Sequence, residues 1–188
     1  MKILIAAALA ALAAFPAAAQ TETYKIDPNH TFPMYEINHF GYSIQRGRFY
    51  RTRGEIQLDL AAHRGSAEIA VDTRSVNTGV PKLDQHLQSE DFFNSAKFPE
   101  MTFKSDQLTF DGDNVVSASG DLTIAGVTRP VTFKTNFFHC GVSPLTKKKT
   151  CGADLEAHIK RSELGIKYGL PGLGDDVTLR VNTEAIAG

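Results

Sequence analysis

Apolar and polar residues alternate along most of the chain after residue 20, which is the two-residue period of a half-buried β-strand. Segment 54–60 places Ile56 and Leu58 on one face and its charged residues on the other. Segment 67–71 repeats this arrangement with Ile69 and Val71, after a turn at 63–65. The two segments therefore predict an antiparallel hairpin.

The same alternation recurs in segments 101–110, 115–124, 153–159 and 177–183, and in a run that places Val131, Phe133, Thr135 and Phe137 on one face. About eight strands with short connections are predicted. Only 81–88 has helical spacing, with a proline at its start and Leu83 and Leu87 four residues apart. An all-β sandwich or closed barrel with one or two short helices is the fold class that this pattern favours.

The first nineteen residues have a different character. They combine Lys2, a long apolar run and small residues at Ala17 and Ala19, as a signal peptide does. We therefore predict a signal peptide at 1–19 and a single domain at 20–188, exported to the periplasm or secreted. No later apolar stretch approaches the roughly 20 residues of a spanning helix, so a membrane-spanning protein is not expected.

The two cysteines, Cys140 and Cys151, both belong to the predicted domain. Export would place them in an oxidising compartment, where one intramolecular disulfide is the simplest pairing. Two separate buried thiols are the alternative. A metal site is disfavoured because the spacing of the two cysteines is unlike CxxC.

Charge and motifs narrow the function classes. The chain has a formal net charge of −1 and no basic half or tail, so a nucleic-acid partner is not expected. It contains no GxSxG, HExxH or phosphate-loop motif, and its six histidines lie on different predicted segments. We therefore predict a protein that is not an enzyme, with no catalytic residue, no metal ligand and no required cofactor.

Aromatic residues are plentiful: the chain has twelve phenylalanines and five tyrosines, and no tryptophan. Plain core packing is one account of them. The other is an apolar cavity, because an eight-stranded barrel is wide enough to hold side chains or one small ligand.

Short motifs carry a resemblance to a known family. In order along the chain they are DPNHT at 27–31, HFG at 39–41 with GRF at 47–49, LDQHL at 83–87 with DFF at 91–93, FPEMTFKS at 98–105, GDLTIAGVTRPV at 120–131 and RSELG at 161–165. With these motifs the chain resembles the YceI family of exported, lipocalin-like polyisoprenoid-binding proteins over essentially all of 20–188.

The resemblance implies an extended eight-stranded antiparallel barrel around a long apolar tunnel for a prenyl chain. Together with the alternation, it predicts a tunnel lined by Tyr35, Phe40, Phe92, Phe93, Phe103, Phe133 and Leu164. Polar residues of the same motifs are expected to orient a ligand head group or to brace the mouth: Asp27, His30, His39, Asp84, His86 and Arg161.

The resemblance thus predicts an exported, non-enzymatic protein that holds a long isoprenoid, an isoprenoid quinone or a similar amphiphilic lipid. An enzyme or electron-transfer partner acting on a bound quinone is the alternative, and it requires a redox centre or reactive side chain. A third hypothesis is an interaction or stress protein whose cavity is incidental to its function. The expected partner is a hydrophobic small molecule, and an exposed strand edge or apolar patch leaves a homodimer open.

Overall fold

The computed structural model describes residues 21–188, so the predicted signal peptide lies outside the described residues. The strands are β1 (Glu22–Ile26), β2 (Phe32–His39), β3 (Ser43–Phe49), β4 (Thr52–Asp59), β5 (Arg64–Asp72), β6 (Val76–Asn77), β7 (Glu100–Asp111), β8 (Asn114–Ile124), β9 (Val127–Val142), β10 (Lys149–Lys160) and β11 (Leu173–Ala187). Helix α1 spans Pro81–Leu87, and 3₁₀ turns occupy Thr73–Ser75 and Arg161–Leu164. None of the helices described is long and apolar enough to cross a bilayer.

The antiparallel sheet closes on itself through β11. The last residues of β11 pair with β1, and β1 pairs in turn with β4. From β4 the order continues through β5, β7, β8, β9 and β10 back to β11. These eight strands form a closed barrel, which confirms the predicted fold class.

Three further strands, β2, β3 and β6, extend the wall at one end of the barrel. Strand β2 continues the line of β1 beside β11, and β3 pairs with β2 before the chain enters β4. Strand β6 then pairs with β3 at Arg48 and Phe49. Helix α1 and the segment 161–172 lie at this extended end, whereas the opposite end carries the β9–β10 hairpin turn.

Apolar side chains on the inner face gather in two buried clusters, one towards each end. The cluster at the α1 end contains Phe49, Val71, Val76, Leu87, Met101, Leu122, Ile124, Leu164 and Ile166. The cluster at the other end contains Tyr24, Ile26, Leu58, Val115, Cys151 and Ala185. The strand alternation that predicted the fold thus points its apolar face into the barrel.

The alternation of β9 is broken by a bulge, and the prediction that Phe137 shares the face of Phe133 is wrong. Thr135 pairs with Leu155, but Phe137 pairs with Asp154, so one residue of β9 is left over. An extra residue reverses which face the following side chains occupy. Phe137 is consequently 58% exposed, while Phe133 is 6% exposed.

Cys140 and Cys151 lie directly opposite each other on β9 and β10, with their Cα atoms 4.1 Å apart and their sulfurs bonded. This confirms the predicted disulfide and excludes two separate thiols. The bridge closes the hairpin that carries Lys147, Lys148 and Lys149, and Lys149 forms an ion pair with Glu22 of β1. The hairpin is therefore attached to the barrel at its base.

Removing the disulfide should loosen the β9–β10 hairpin without opening the barrel. By restricting the unfolded chain, a bridge across so short a loop contributes about 2 to 3 kcal/mol to the free energy of unfolding. A Cys140→Ala/Cys151→Ala variant should lose about that much stability in urea titrations and retain the far-UV circular dichroism of the parent. Loss of the β spectrum under native conditions would contradict this.

Candidate functional site

The barrel encloses an elongated cavity of about 690 Å³. This volume lies within the range of small-molecule sites, about 300–1,000 Å³. Every strand of the closed barrel contributes apolar side chains to its wall, one from each being Tyr24, Leu58, Ile69, Phe103, Ala118, Phe133, Leu155 and Leu179. Leu173 and Ala185 both border it, and at about 3.3 Å per residue they lie at most about 40 Å apart along β11.

The cavity opens at the α1 end. Phe40, Leu83 and Tyr168 border it there and are still 36% to 54% exposed, so their side chains reach both the cavity and the surface. At the opposite end the lining side chains of Tyr24 and Cys151 are buried. The described residues therefore form a tunnel with its mouth beside α1.

All seven residues predicted to line the tunnel are placed at the cavity wall, namely Tyr35, Phe40, Phe92, Phe93, Phe103, Phe133 and Leu164. Phe103 and Phe133 meet edge to face with ring centroids 5.1 Å apart. Phe93 makes a similar contact with Phe49 at 5.3 Å. These two edge-to-face pairs hold four rings of the wall against one another.

Tyr35 brings a polar group to this wall. A Cβ at Gly47 would lie 2.6 Å from its hydroxyl oxygen, so the ring occupies space that only glycine leaves free. Burial raises the pKa of Tyr35 to about 12, and the negative charge of Asp84 adds to the effect. At neutral pH the phenol is therefore protonated and can donate a hydrogen bond.

A cluster of rings joins α1 to the segment 165–172 at the mouth. The ring of His86 contacts Phe92 at 5.1 Å and Tyr168 at 5.0 Å between centroids. Nε2 of His86 lies 3.0 Å from a carboxylate oxygen of Asp91. Sequence reasoning missed Tyr168 because it lies in irregular backbone, where no periodicity points to a face; only its place shortly after RSELG could have indicated it.

Arg161 borders the cavity, yet its guanidinium is committed to the backbone. Nε donates to the carbonyl of Gly174 at 2.7 Å, Nη2 to that of Leu173 at 2.9 Å, and Nη1 to that of Ile166 at 3.2 Å. Arg161 is only 4% exposed, and this burial lowers the pKa of its guanidinium. Of the two expected roles, the geometry supports bracing.

Two further polar motif residues differ in their positions: His39 lies at the mouth, and Asp84 braces the turn before α1. His39 borders the cavity, and its ring packs against that of Phe40 at 4.8 Å. Asp84 does not border the cavity. Its carboxylate accepts hydrogen bonds from the amide and the hydroxyl of Thr78, both at 2.7 Å, and so fixes the turn before α1.

Asp27 and His30 lie outside the cavity lining, in the turn between β1 and β2. Asp27 accepts hydrogen bonds from the amide of Asn29 at 2.9 Å and from Nδ1 of His30 at 2.8 Å. Glu184 lies close enough to complete a three-residue group of possible metal ligands. Hydrogen bonds within the turn account for the positions of Asp27 and His30, and the absence of a metal remains a prediction.

A closed antiparallel barrel with an apolar tunnel and one mouth defines the class of lipocalin-like barrels. The chain belongs to the YceI-like domain family, whose profile matches residues 24–185, and this confirms the resemblance of its motifs. It is 34% identical to Protein YceI of Escherichia coli O17:K52:H18 over 190 residues, covering 98% of this chain and 97% of that protein.

Two solved structures share the fold. BcnA of Burkholderia cenocepacia matches with a TM-score of 0.71 and 21% identity, over 85% of this chain and 99% of that one. A polyisoprenoid-binding domain of Saccharophagus degradans, implicated in plant cell wall breakdown, matches with a TM-score of 0.67 and 17% identity, over 88% and 98%. At these identities the matches establish the fold alone.

Replacing Arg161 should destabilise the mouth because three carbonyls would lose their donor. Arg161→Met should cost at least about 2 kcal/mol in a urea titration, since hydrogen bonds to a charged group contribute about 1.5–3 kcal/mol each. Arg161→Lys can restore only part of the fork and should fall between parent and Arg161→Met. Parent-like stability of Arg161→Met would refute the bracing role.

The turn between β1 and β2 should respond to pH through His30. Its hydrogen bond to Asp27 and the nearby negative charge raise the pKa of His30 above 6.5. A raised pKa means that the contact stabilises the fold fully below about pH 6.5 and is lost as pH rises through the folded-state pKa. NMR titration should show this raised pKa, and Asp27→Asn should lower it; an unchanged value would contradict the pairing.

Proposed function

We propose that this chain is an exported, non-enzymatic binding protein that holds a long isoprenoid, an isoprenoid quinone or a similar amphiphilic lipid in its tunnel. The observation that carries the proposal is the 690 Å³ cavity, which is walled by apolar side chains from all eight barrel strands. Such a space suits a ligand that is itself long and apolar.

The energetics of burial are sufficient for useful affinity. A chain of roughly twenty carbons gains on the order of 16 kcal/mol from burial, at about 0.8 kcal/mol per CH₂. Loss of free motion and ordering of the chain cost about 4 to 15 kcal/mol. A net gain can therefore remain without a strong polar contact.

The polar end of such a ligand would lie at the mouth. The Tyr35 phenol and the imidazoles of His39 and His86 belong to residues that border the cavity in this region. They can hydrogen-bond a hydroxyl, carbonyl or phosphate oxygen, whereas the rest of the wall offers mainly apolar contact. This polarity gradient orients an amphiphile with its tail inward.

Two further observations support the proposal. The domain of Saccharophagus degradans that shares this fold is described as polyisoprenoid-binding. The Cys140–Cys151 disulfide suits an oxidising compartment and agrees with export by the signal peptide predicted at 1–19. We accordingly place the protein in the periplasm or outside the cell.

Native mass spectrometry of protein purified from its own compartment tests the proposal. We expect one bound lipid per chain, released by organic extraction and identified as an isoprenoid or a related amphiphile. Consistently empty protein that also fails to take up added isoprenoids would overturn the proposal. Turnover of an added quinone would instead favour the enzyme alternative.

A charge placed inside the tunnel should abolish lipid binding. In Phe133→Asp a carboxylate would face the apolar wall, where it cannot find a partner, so binding or the fold itself is lost. Phe137→Asp is the matched control, because Phe137 lies on the same strand but faces outward. Equal lipid occupancy in both variants would show that Phe133 does not face the ligand.

Filling the tunnel keeps the test valid where a buried charge prevents folding. Ala153 borders the cavity from β10, and Ala153→Phe adds an apolar ring without introducing charge. We expect parent-like thermal stability with at least a tenfold loss of affinity for a long isoprenoid, since the ring occupies ligand space. Undiminished binding of the long isoprenoid by Ala153→Phe would show that the ligand does not extend past Ala153.

A further inference from the structure

Exposed apolar side chains surround the mouth of the tunnel and form what we term the rim: Phe40, Tyr42, Ile44, Val80, Leu83 and Tyr168. Each of them is at least 36% exposed, and Tyr42 is 90% exposed. Three of the six, Phe40, Leu83 and Tyr168, also border the cavity. The rim is therefore continuous with the tunnel wall.

Contacts between three chain segments make the rim a single surface. The amide of Phe40 donates to the carbonyl of Gly172 at 3.1 Å, which joins the β2–β3 turn to the segment 165–172. The ring of His86 contacts that of Tyr168 and joins the same segment to α1. Tyr42 lies in the β2–β3 turn, and Val80 directly precedes α1.

Charged residues of both signs flank the rim. Lys82 and Lys167 are exposed neighbours of rim residues in the sequence, and neither forms an ion pair within residues 21–188. Three carboxylates belong to the same region: Asp84, which is hydrogen-bonded to Thr78, and the exposed Glu90 and Asp91. Aromatic and aliphatic side chains flanked by lysines are the composition of surfaces that lie in a lipid interface.

We infer that the rim docks on the surface of a lipid bilayer, so that the ligand passes between bilayer and tunnel without crossing water. This inference rests on the proposed function. Each CH₂ group that is exposed to water during transfer makes the exposed state about fourfold less populated. A mouth seated in the interface removes that penalty for the whole chain.

A second copy of this chain is the competing occupant of the rim. A symmetric pair that met through the rim would seal both mouths against each other, so that a ligand could neither enter nor leave. A bilayer instead leaves the mouth open to an apolar phase, and anionic head groups can pair with Lys82 and Lys167. Access to the tunnel thus favours the bilayer.

The absence of tryptophan allows the orientation to be measured directly. In Tyr42→Trp the single tryptophan would lie on the rim, and in Leu145→Trp it would lie on the hairpin tip at the opposite end, where Leu145 is 91% exposed. With vesicles of phosphatidylcholine containing phosphatidylglycerol, we expect a blue shift and quenching by brominated lipid for Tyr42→Trp alone. The same shift for Leu145→Trp would overturn the proposed orientation.

Matched pairs of variants test the apolar and the charged parts separately. Tyr42→Ser/Val80→Ser should lower vesicle partitioning at least tenfold, while Val142→Ser/Leu145→Ser, which removes exposed apolar side chains from the hairpin tip, should not. Lys82→Ala/Lys167→Ala should weaken binding by about fivefold per lysine at low salt. Lys147→Ala/Lys148→Ala is its control. Equal losses in the rim and control variants would overturn the proposal.

Two further readouts separate this inference from the proposed function. Tyr42 and Val80 do not border the cavity, so Tyr42→Ser/Val80→Ser should take up a detergent-dispersed isoprenoid as the parent does. Failure of the parent to bind vesicles, with uptake intact, would overturn docking alone. Light scattering that shows a dimer of the parent and a monomer of Tyr42→Ser/Val80→Ser would assign the rim to a second copy.

Discussion

Strand β11 closes the sheet, and this closure holds the barrel wall together. Because β11 pairs with β10 on one side and with β1 and β2 on the other, the barrel has no free edge along this seam. Backbone donors and acceptors are satisfied within the wall, so the interior needs no polar groups of its own. The inward side chains can therefore be apolar and still leave a tunnel between them.

The two ends of the barrel have different tasks, and their residues reflect this difference. At the end away from α1, Tyr24 and Ala185 are buried in the inner wall, and the Cys140–Cys151 bridge holds the neighbouring hairpin. At the mouth, the backbone is irregular and must be held by side chains. Arg161 fixes the segment 166–174, and Asp84 fixes the turn before α1, so that rings such as Phe40 and Tyr168 can stand at the opening.

Much of this architecture could be predicted from the sequence, because alternation reports directly on which face of a strand is buried. It predicted the β4–β5 hairpin, the last two strands and, together with the family resemblance, the inward position of Phe103 and Phe133. It failed at Phe137, since a bulge is decided by pairing with β10. The position of Tyr168 and the bracing role of Arg161 depend on tertiary contacts between distant segments, which neither periodicity nor motif spacing contains.

The proposed function requires one long apolar ligand in the tunnel. A crystal structure of protein purified from its own compartment, without added ligand, would show whether it is there. We expect continuous, chain-like electron density that runs from the wall at Phe103 and Phe133 to the mouth between Phe40 and Tyr168. Inward side chains that collapse to fill the space, or discrete water peaks along it, would rule out such a ligand.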